Sequence, residues 1–256
     1  MSSLNIRYLG GPSAILETGG VRLVVDPTFD APGDYPIGSR KLTKTAEPVL
    51  GPDEIGPVDA VLLSHDQHPD NLDTGGRAYL SGVPLTLTTE AGAGRLGGTA
   101  RALPNWEHVD LPRPDGGTLR VTGVPAQHGP DGTEHLTGPV TGFVLSGEGL
   151  PSTYVSGDNA SLDVVRAVAG RFAPFDVAVL FAGGAQTPLL GDAYLTLTSE
   201  DAAEAATILG AAHIVPLHFE GWAHFSRGRD TIPPAFDKAA LADRLHLLGP
   251  GESIEL

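Results

Sequence analysis

Three short alternating segments joined by tight glycine turns open the chain, and they constrain its fold more than any other feature. "LNIRYL" (Leu4 to Leu9), "SAILET" (Ser13 to Thr18) and "VRLVVD" (Val21 to Asp26) are separated by Gly-Gly-Pro and by Gly19-Gly20. Period-two runs punctuated by such turns are hairpin signals, so the chain begins as an antiparallel sheet. The later chain changes habit. "SLDVVRAVAGRF" (Ser161 to Phe172) starts at a serine N-cap candidate and spaces its apolar residues by three and four. "TSEDAAEAATILG" (Thr198 to Gly210) opens on a capping Thr198 or Ser199, carries acids in its first turn and stops at glycine. "PAFDKAALADRLHLL" reads as a third helix, and "FDVAVLF" and "HIVPLHF" as buried strands between the helices. Two sheets back to back with helices outside would satisfy strands first and strand–helix alternation later.

The middle of the chain fills in that plan. "VDAVLLS" (Val58 to Ser64) is a buried strand, "NLDTGGRAYL" a short helix weakened by Gly75-Gly76, and "PLTLTT", "TLRVTGVPA", "VTGFVLSGEG" and "STYVSGD" are further strands. Between Pro27 and Pro57 prolines and glycines recur without a period, which predicts a long loop, with Tyr35 a candidate lid residue. No linker and no repeat divides the 256 residues, so one domain over 1–256 is expected.

Composition limits the chemistry. The formal charge is −15, from 16 basic and 31 acidic residues, which argues against a nucleic-acid partner and fits a small or neutral substrate molecule rather than a long polyanion. No apolar run reaches the roughly 18 residues that a membrane span needs, so no membrane partner is expected. "MSSLNIRYLGG" has neither a basic n-region nor an apolar h-region, which suggests a cytoplasmic protein. With no cysteine, any metal must be held by imidazole, carboxylate, amide or water.

Those groups lie at strand ends. His65 follows "AVLLS", His128 follows "VTGVPAQ", Asp158 follows "STYVSG" and His218 follows "HIVPL". Strand ends on one rim of a sandwich converge, and four such groups can surround a divalent ion. "SHDQHPDNLD" crowds His65, Asp66, Gln67, His68 and Asp70 into one strand-to-helix corner. Singly, a strand-end histidine or an aspartate in "SGDN" is most often a hydrogen-bonded or turn residue; together they read as a metal site.

"SHDQHPDNLD" resembles the H-x-H-x-D-H signature of the metallo-β-lactamase-fold hydrolases, and more closely a subgroup, similar in layout to ascorbate-phosphate-lactonase-like proteins, with H-D-H-H-x-D-N-L-D. "DPTFD", "VPAQHGP", "YVSGDN" and "VPLHFEGW" resemble that family's other stations, in order. The resemblance implies an α/β four-layer αββα sandwich of two mixed sheets with helices on the outer faces. It implies one or two divalent ions, most readily Zn2+, with Mn2+ or Fe2+ as alternatives. His65 and His128 would be ligands of the first ion, Asp158 would bridge and His218 would hold the second. Asp70 would take the motif aspartate's place and act with the attacking water, and Asp26 would orient these groups from behind. The family's second histidine falls at Gln67, and Asn71 stands where many members have their last one; His68 either supplies the missing ligand or stands behind it. Of the remaining residues, Asp66, His135, Glu220 and Trp222 are candidates for supporting the site or touching substrate, with His224 lining the pocket. His108 and His246 are expected to be structural, in a loop and an amphipathic helix.

Two functions follow. The first is a metal-dependent hydrolase of a lactone, ester or phosphoester. The second, raised by Gln67, is a non-hydrolytic or metal-depleted member that binds a ligand or catalyses a rearrangement. The resemblance is also compatible with a homo-oligomer.

Overall fold

The computed structural model describes residues 3–256. The opening hairpins form β1 (Leu4–Gly10), β2 (Ser13–Thr18) and β3 (Val21–Val25). A separate hairpin of β4 (Gly33–Ile37) and β5 (Arg40–Lys44) follows, then β6 (Ala60–Leu62), α1 (Thr74–Tyr79), β7 (Thr86–Thr88), α2 (Glu90–Leu96) and β8 (Ala100–Ala102). Next come β9 (His108–Pro112), β10 (Thr118–Pro125), α3 (Glu134–Thr137), β11 (Thr141–Ser146) and β12 (Thr153–Val155). The last part holds α4 (Leu162–Phe172), β13 (Val177–Phe181), α5 (Ser199–Leu209), β14 (His213–Leu217), α6 (Ile232–Lys238) and β15 (Ser253–Glu255).

Two mixed sheets result. One runs β15-β1-β2-β3-β6-β7-β8 and the other β14-β13-β12-β11-β10-β9. Hairpin-linked neighbours pair antiparallel, whereas β3-β6-β7-β8 and β12-β13-β14 pair in parallel through crossovers. Side-chain alternation sorts the first sheet's two faces. Leu16, Leu23, Val25 and Leu62 join the large core shared with the second sheet, while Ile15, Val24, Val61 and Leu63 join a smaller cluster with Leu72, Leu80 and Val83 on the other face. Helices α4 and α5 cover the second sheet, burying Val165, Val168, Ala202 and Leu209. Ser161 caps α4, a Thr198–Asp201 capping box starts α5 and left-handed Gly210 ends it. The four-layer plan expected from the sequence is present.

Three expectations need correction. The proline-rich stretch after Pro27 is not one irregular loop, because Ile37 pairs with Arg40 across a Gly38-Ser39 turn to make the β4–β5 ribbon. An exposed two-stranded ribbon has no buried face to impose an apolar alternation, and so its sequence hides it. The helix expected through Leu248 stops at Lys238, where Ala240 adopts φ 57° and does the work usually left to glycine. His246 consequently lies outside any helix, and His108 opens β9 rather than sitting in a loop.

The ribbon is tied to the sandwich beside the strand-end rim. Thr45 N–H donates to the Gly221 carbonyl (2.8 Å) and Ala223 N–H to that of Thr43 (2.9 Å). Lys44 Nζ, buried, reaches Asp73 Oδ2 at 3.3 Å. Asp73 also accepts from Asp30 N–H (2.7 Å) and caps α1 through Gly76 N–H (2.7 Å). Gly76 has its own reason to be there: a Cβ would lie 1.9 Å from the Pro27 carbonyl oxygen. The glycines that weaken α1 as a helix allow it to dock. Asp73→Ala removes the helix cap and leaves a buried ammonium unpaired, so it should lower the unfolding free energy by about 3–5 kcal/mol in denaturant titration. Lys44→Met should cost clearly less, because Asp73 keeps its two backbone donors.

Candidate metal centre

Strand ends of both sheets meet on one rim, where β6 delivers His65, β10 His128, β12 Asp158 and β14 His218. All four are buried, as is Asp70 on the turn before α1. Two clusters of ligand atoms form, each with its atoms within 4.8 Å of one another: His65, His68, His128 and Asp158, and Asp70, Asp158 and His218. Asp158 belongs to both. In the first, His68 Nδ1 lies 2.9 Å from His65 Nε2 and 3.2 Å from His128 Nε2. In the second, His218 Nε2 lies 3.4 Å from Asp70 Oδ2 and 3.4 Å from Asp158 Oδ1. Ligand atoms about 2.0–2.1 Å from a shared tetrahedral zinc stand roughly 3.3 Å apart, close to these four separations, while Asp158 Oδ2 stands farther out, 4.0 Å from His65 Nε2.

The groups behind the ligands fix their orientation. Asp26, fully buried, accepts from Ser64 N–H and Ser64 Oγ–H (each 2.6 Å) and from Asn71 Nδ2 (3.0 Å). With its proton given to Asp26, Ser64 Oγ accepts from His65 Nδ1 at 3.0 Å, which turns the Nε2 lone pair toward the cluster. His128 is set the same way, its Nδ1–H donating to the Leu195 carbonyl at 2.8 Å. Asn71 also donates to Asp158 Oδ1 (3.2 Å). Asp26 and His218 hold positive φ, 36° and 55°, strain that a packed site retains where it orients side chains.

Electrostatics prepare the centre for a cation. Burial first, then neighbouring imidazoles, holds His65 well below its ordinary pKa and His128 down to about 3; burial likewise lowers His68 and His218. All four are therefore neutral and can offer a lone pair. Burial raises Asp26 to about 7 against its hydrogen bonds, and burial with Asp70 and Asp26 nearby raises Asp158 well above the usual range. Burial opposes the ionisation of Asp70, but His224 and His218 beside it hold its carboxyl well below. Among the described residues, His218 Nδ1 and Nε2 and Asp70 Oδ1 are buried without a hydrogen-bond partner. Neutral imidazoles, crowded carboxylates and orphaned acceptors suit a divalent ion.

The other candidates divide clearly. Gln67 Nε2 rests against Gly138 and its Oε1 is buried without a hydrogen bond, while the imidazole grouped with those of His65 and His128 is that of His68. Asp66 turns away, taking two bonds from Arg95 Nε at 3.0 and 3.2 Å with Arg77 at 3.8 Å, and braces the corner. His135 is exposed on α3 and bonded to the Gly132 carbonyl. Glu220 pairs with Arg229 at 2.7 Å, and Trp222 packs edge-on against Tyr35. His224 gains importance: its Nε2 is 3.1 Å from Asp70 Oδ2, on the side where Asn71 supplies no imidazole. Its place six residues after His218 in "HFEGWAHF" is the one signal the sequence offers, but only the loop's path brings it back to Asp70.

Comparison with known proteins agrees with this geometry. A family model described as a beta-lactamase superfamily domain matches residues 21–219. A UPF0173 metal-dependent hydrolase of Pyrococcus furiosus is 23% identical over 257 residues, covering 99% of this chain and 100% of its own. Another, from Rubrobacter xylanophilus, is 26% identical over 269 residues, covering 99% and 97%. The crystal structure of an isothiocyanate hydrolase from Delia radicum gut bacteria superposes with a TM-score of 0.81 at 21% identity, covering 98% of each chain. At that identity the superposition speaks for fold alone.

Removing a group that only supports a ligand typically costs about 10- to 100-fold in metal affinity. His68→Ala should cost at least that much by competition with a chromophoric chelator, and Gln67→Ala should leave zinc affinity close to the parent's. The reverse order would place the third ligand at Gln67.

Proposed function

From the premise that this chain belongs to the beta-lactamase superfamily, we propose that it is a metal-dependent hydrolase of a small molecule. The observation that carries the reading is the pair of ligand clusters sharing Asp158. His65, His68, His128 and Asp158 would hold the first ion, and Asp158, Asp70 and His218 the second. Zinc suits the imidazole-rich first cluster; the second, with more oxygen donors, also suits manganese or iron. A divalent ion there supplies Lewis acidity, polarising an electrophilic carbon or phosphorus centre and bringing the pKa of water to about 7.

The chain's own groups do the rest. Asp70, ionised beside His218 and His224, can accept a hydrogen bond from the attacking water at Oδ1, which is buried without a partner, while Oδ2 lies 3.1 Å from His224 Nε2. His68, His128 and His224 form the polar floor of a cavity whose other walls are mainly aliphatic, which suits a small organic substrate. Lactones, esters and phosphoesters are the substrate classes that this arrangement serves. The imidazole that His68 contributes weighs against the metal-depleted alternative suggested by Gln67, since the first cluster keeps three.

The test is a screen of zinc-loaded protein against lactones, carboxylic esters and phosphoesters, beside Asp158→Ala. The parent should turn over at least one class, and the variant should lose at least about 100-fold in kcat/KM, the upper range for disturbing a metal's support. An Asp158→Ala protein as active as the parent would end this reading.

A further inference from the structure

The cavity above the ligand clusters has a volume of about 200 Å3 and is closed on one side by the β4–β5 ribbon. Its aliphatic wall is made by Ile37, Leu42, Leu136, Leu189, Leu190 and Leu195. Leu136 and Leu189 are the exposed large apolar side chains among the described residues, at 45% and 51%, and both stand on this one cavity. A single exposed leucine needs no explanation; two on the same small cavity mark a surface that an apolar ligand would cover.

Arg40 also lines this wall. Its ribbon neighbour Lys41 is paired with Asp34, and Lys44 with Asp73. Arg40 has no carboxylate within ion-pair distance among the described residues, in a chain with 31 acidic side chains against 16 basic ones. One Nη donates to Thr187 Oγ1 at 2.5 Å, which ties the guanidinium across the cavity and leaves its other N–H groups unassigned. A guanidinium held in an aliphatic pocket is a preorganised receptor for an anionic oxygen group.

We propose that the substrate is a small amphiphilic anion: an aliphatic or aryl limb lies against the leucine wall, and a carboxylate or phosphate oxygen group pairs with Arg40 beside the metal centre. This assignment rests on the hydrolase reading for what happens at the ions, but not for the binding itself. Arg40 acts here as a specificity residue, selecting anionic over neutral molecules of equal length.

The experiment is isothermal titration of zinc-loaded parent, Arg40→Met and Arg40→Lys with octanoate, octyl phosphate, shorter alkanoates and 1-octanol. In the parent, each methylene removed from octanoate should weaken binding about fourfold, the value of one buried CH2. Arg40→Met should weaken the preferred anion by about 10- to 100-fold, the worth of hydrogen bonds to a charged group, while 1-octanol binds as before and Arg40→Lys recovers part of the loss. Whichever anion binds more tightly in the parent identifies the oxygen group that Arg40 selects. Octanoate and octyl phosphate binding Arg40→Met as well as the parent would mean that the ions alone seat the anion, and the proposal would fall. An equal loss of 1-octanol would show Arg40 to be only a latch on Thr187, with the same consequence. Failure of the two readings is separable. A protein that binds anions through Arg40 but hydrolyses nothing retains this pocket and loses the hydrolase assignment. A protein that hydrolyses neutral esters with Arg40→Met undiminished keeps the hydrolase assignment and loses this one.

Discussion

Three carboxylates, Asp26, Asp70 and Asp158, are buried together on one rim of the sandwich, and the arrangement of everything around them answers the cost of that burial. Unpaired buried charge is among the most expensive features a fold can carry. Asp26 is compensated by three hydrogen bonds from Ser64 and Asn71. Asp70 and Asp158 instead face His218, and Asp158 is also close to His65 (4.0 Å). Burial keeps His65, His128 and His218 neutral and raises Asp158 and Asp26, so only Asp70, beside His218 and His224, is held ionised by its neighbours. A divalent cation would balance this set. The positive φ of Asp26 and His218 is the strain retained to hold it in place.

Much of this rim is legible in the amino-acid sequence. An apolar strand followed at once by His or Asp announces His65, His128, Asp158 and His218, because a strand's end projects its next residues onto the rim. The caps at Ser161 and Thr198 are readable because capping needs particular side chains at particular offsets. The choice between Gln67 and His68 is not readable. Past a strand's end the direction of each side chain depends on the path of the corner, and here that path is set by α1 docking on Pro27 through Gly76. Arg40 and the contact of His224 with Asp70 are hidden for a related reason, since each reaches the site across a loop or ribbon whose sequence carries no periodic signal.

The ribbon ties these observations together. It is absent from the two sheets, yet Lys44, Thr43 and Thr45 anchor it to α1 and to the segment after β14. It thereby brings Ile37, Arg40 and Leu42 over His68, His128 and His224. The sandwich gathers the candidate metal ligands, and a segment that looks irregular in sequence builds one wall of the cavity beside them. Fold-level likeness to other hydrolases cannot supply that second part, because specificity belongs to the residues grafted on the scaffold.

The most direct test of the central claim is a crystal structure of the zinc-loaded protein with anomalous data at the zinc edge. The account predicts an anomalous peak bounded by His65 Nε2, His68 Nδ1, His128 Nε2 and Asp158, with the Gln67 amide outside the coordination sphere. A peak coordinated by Gln67 Oε1 with His68 turned away, or no peak on this rim at all, would contradict it.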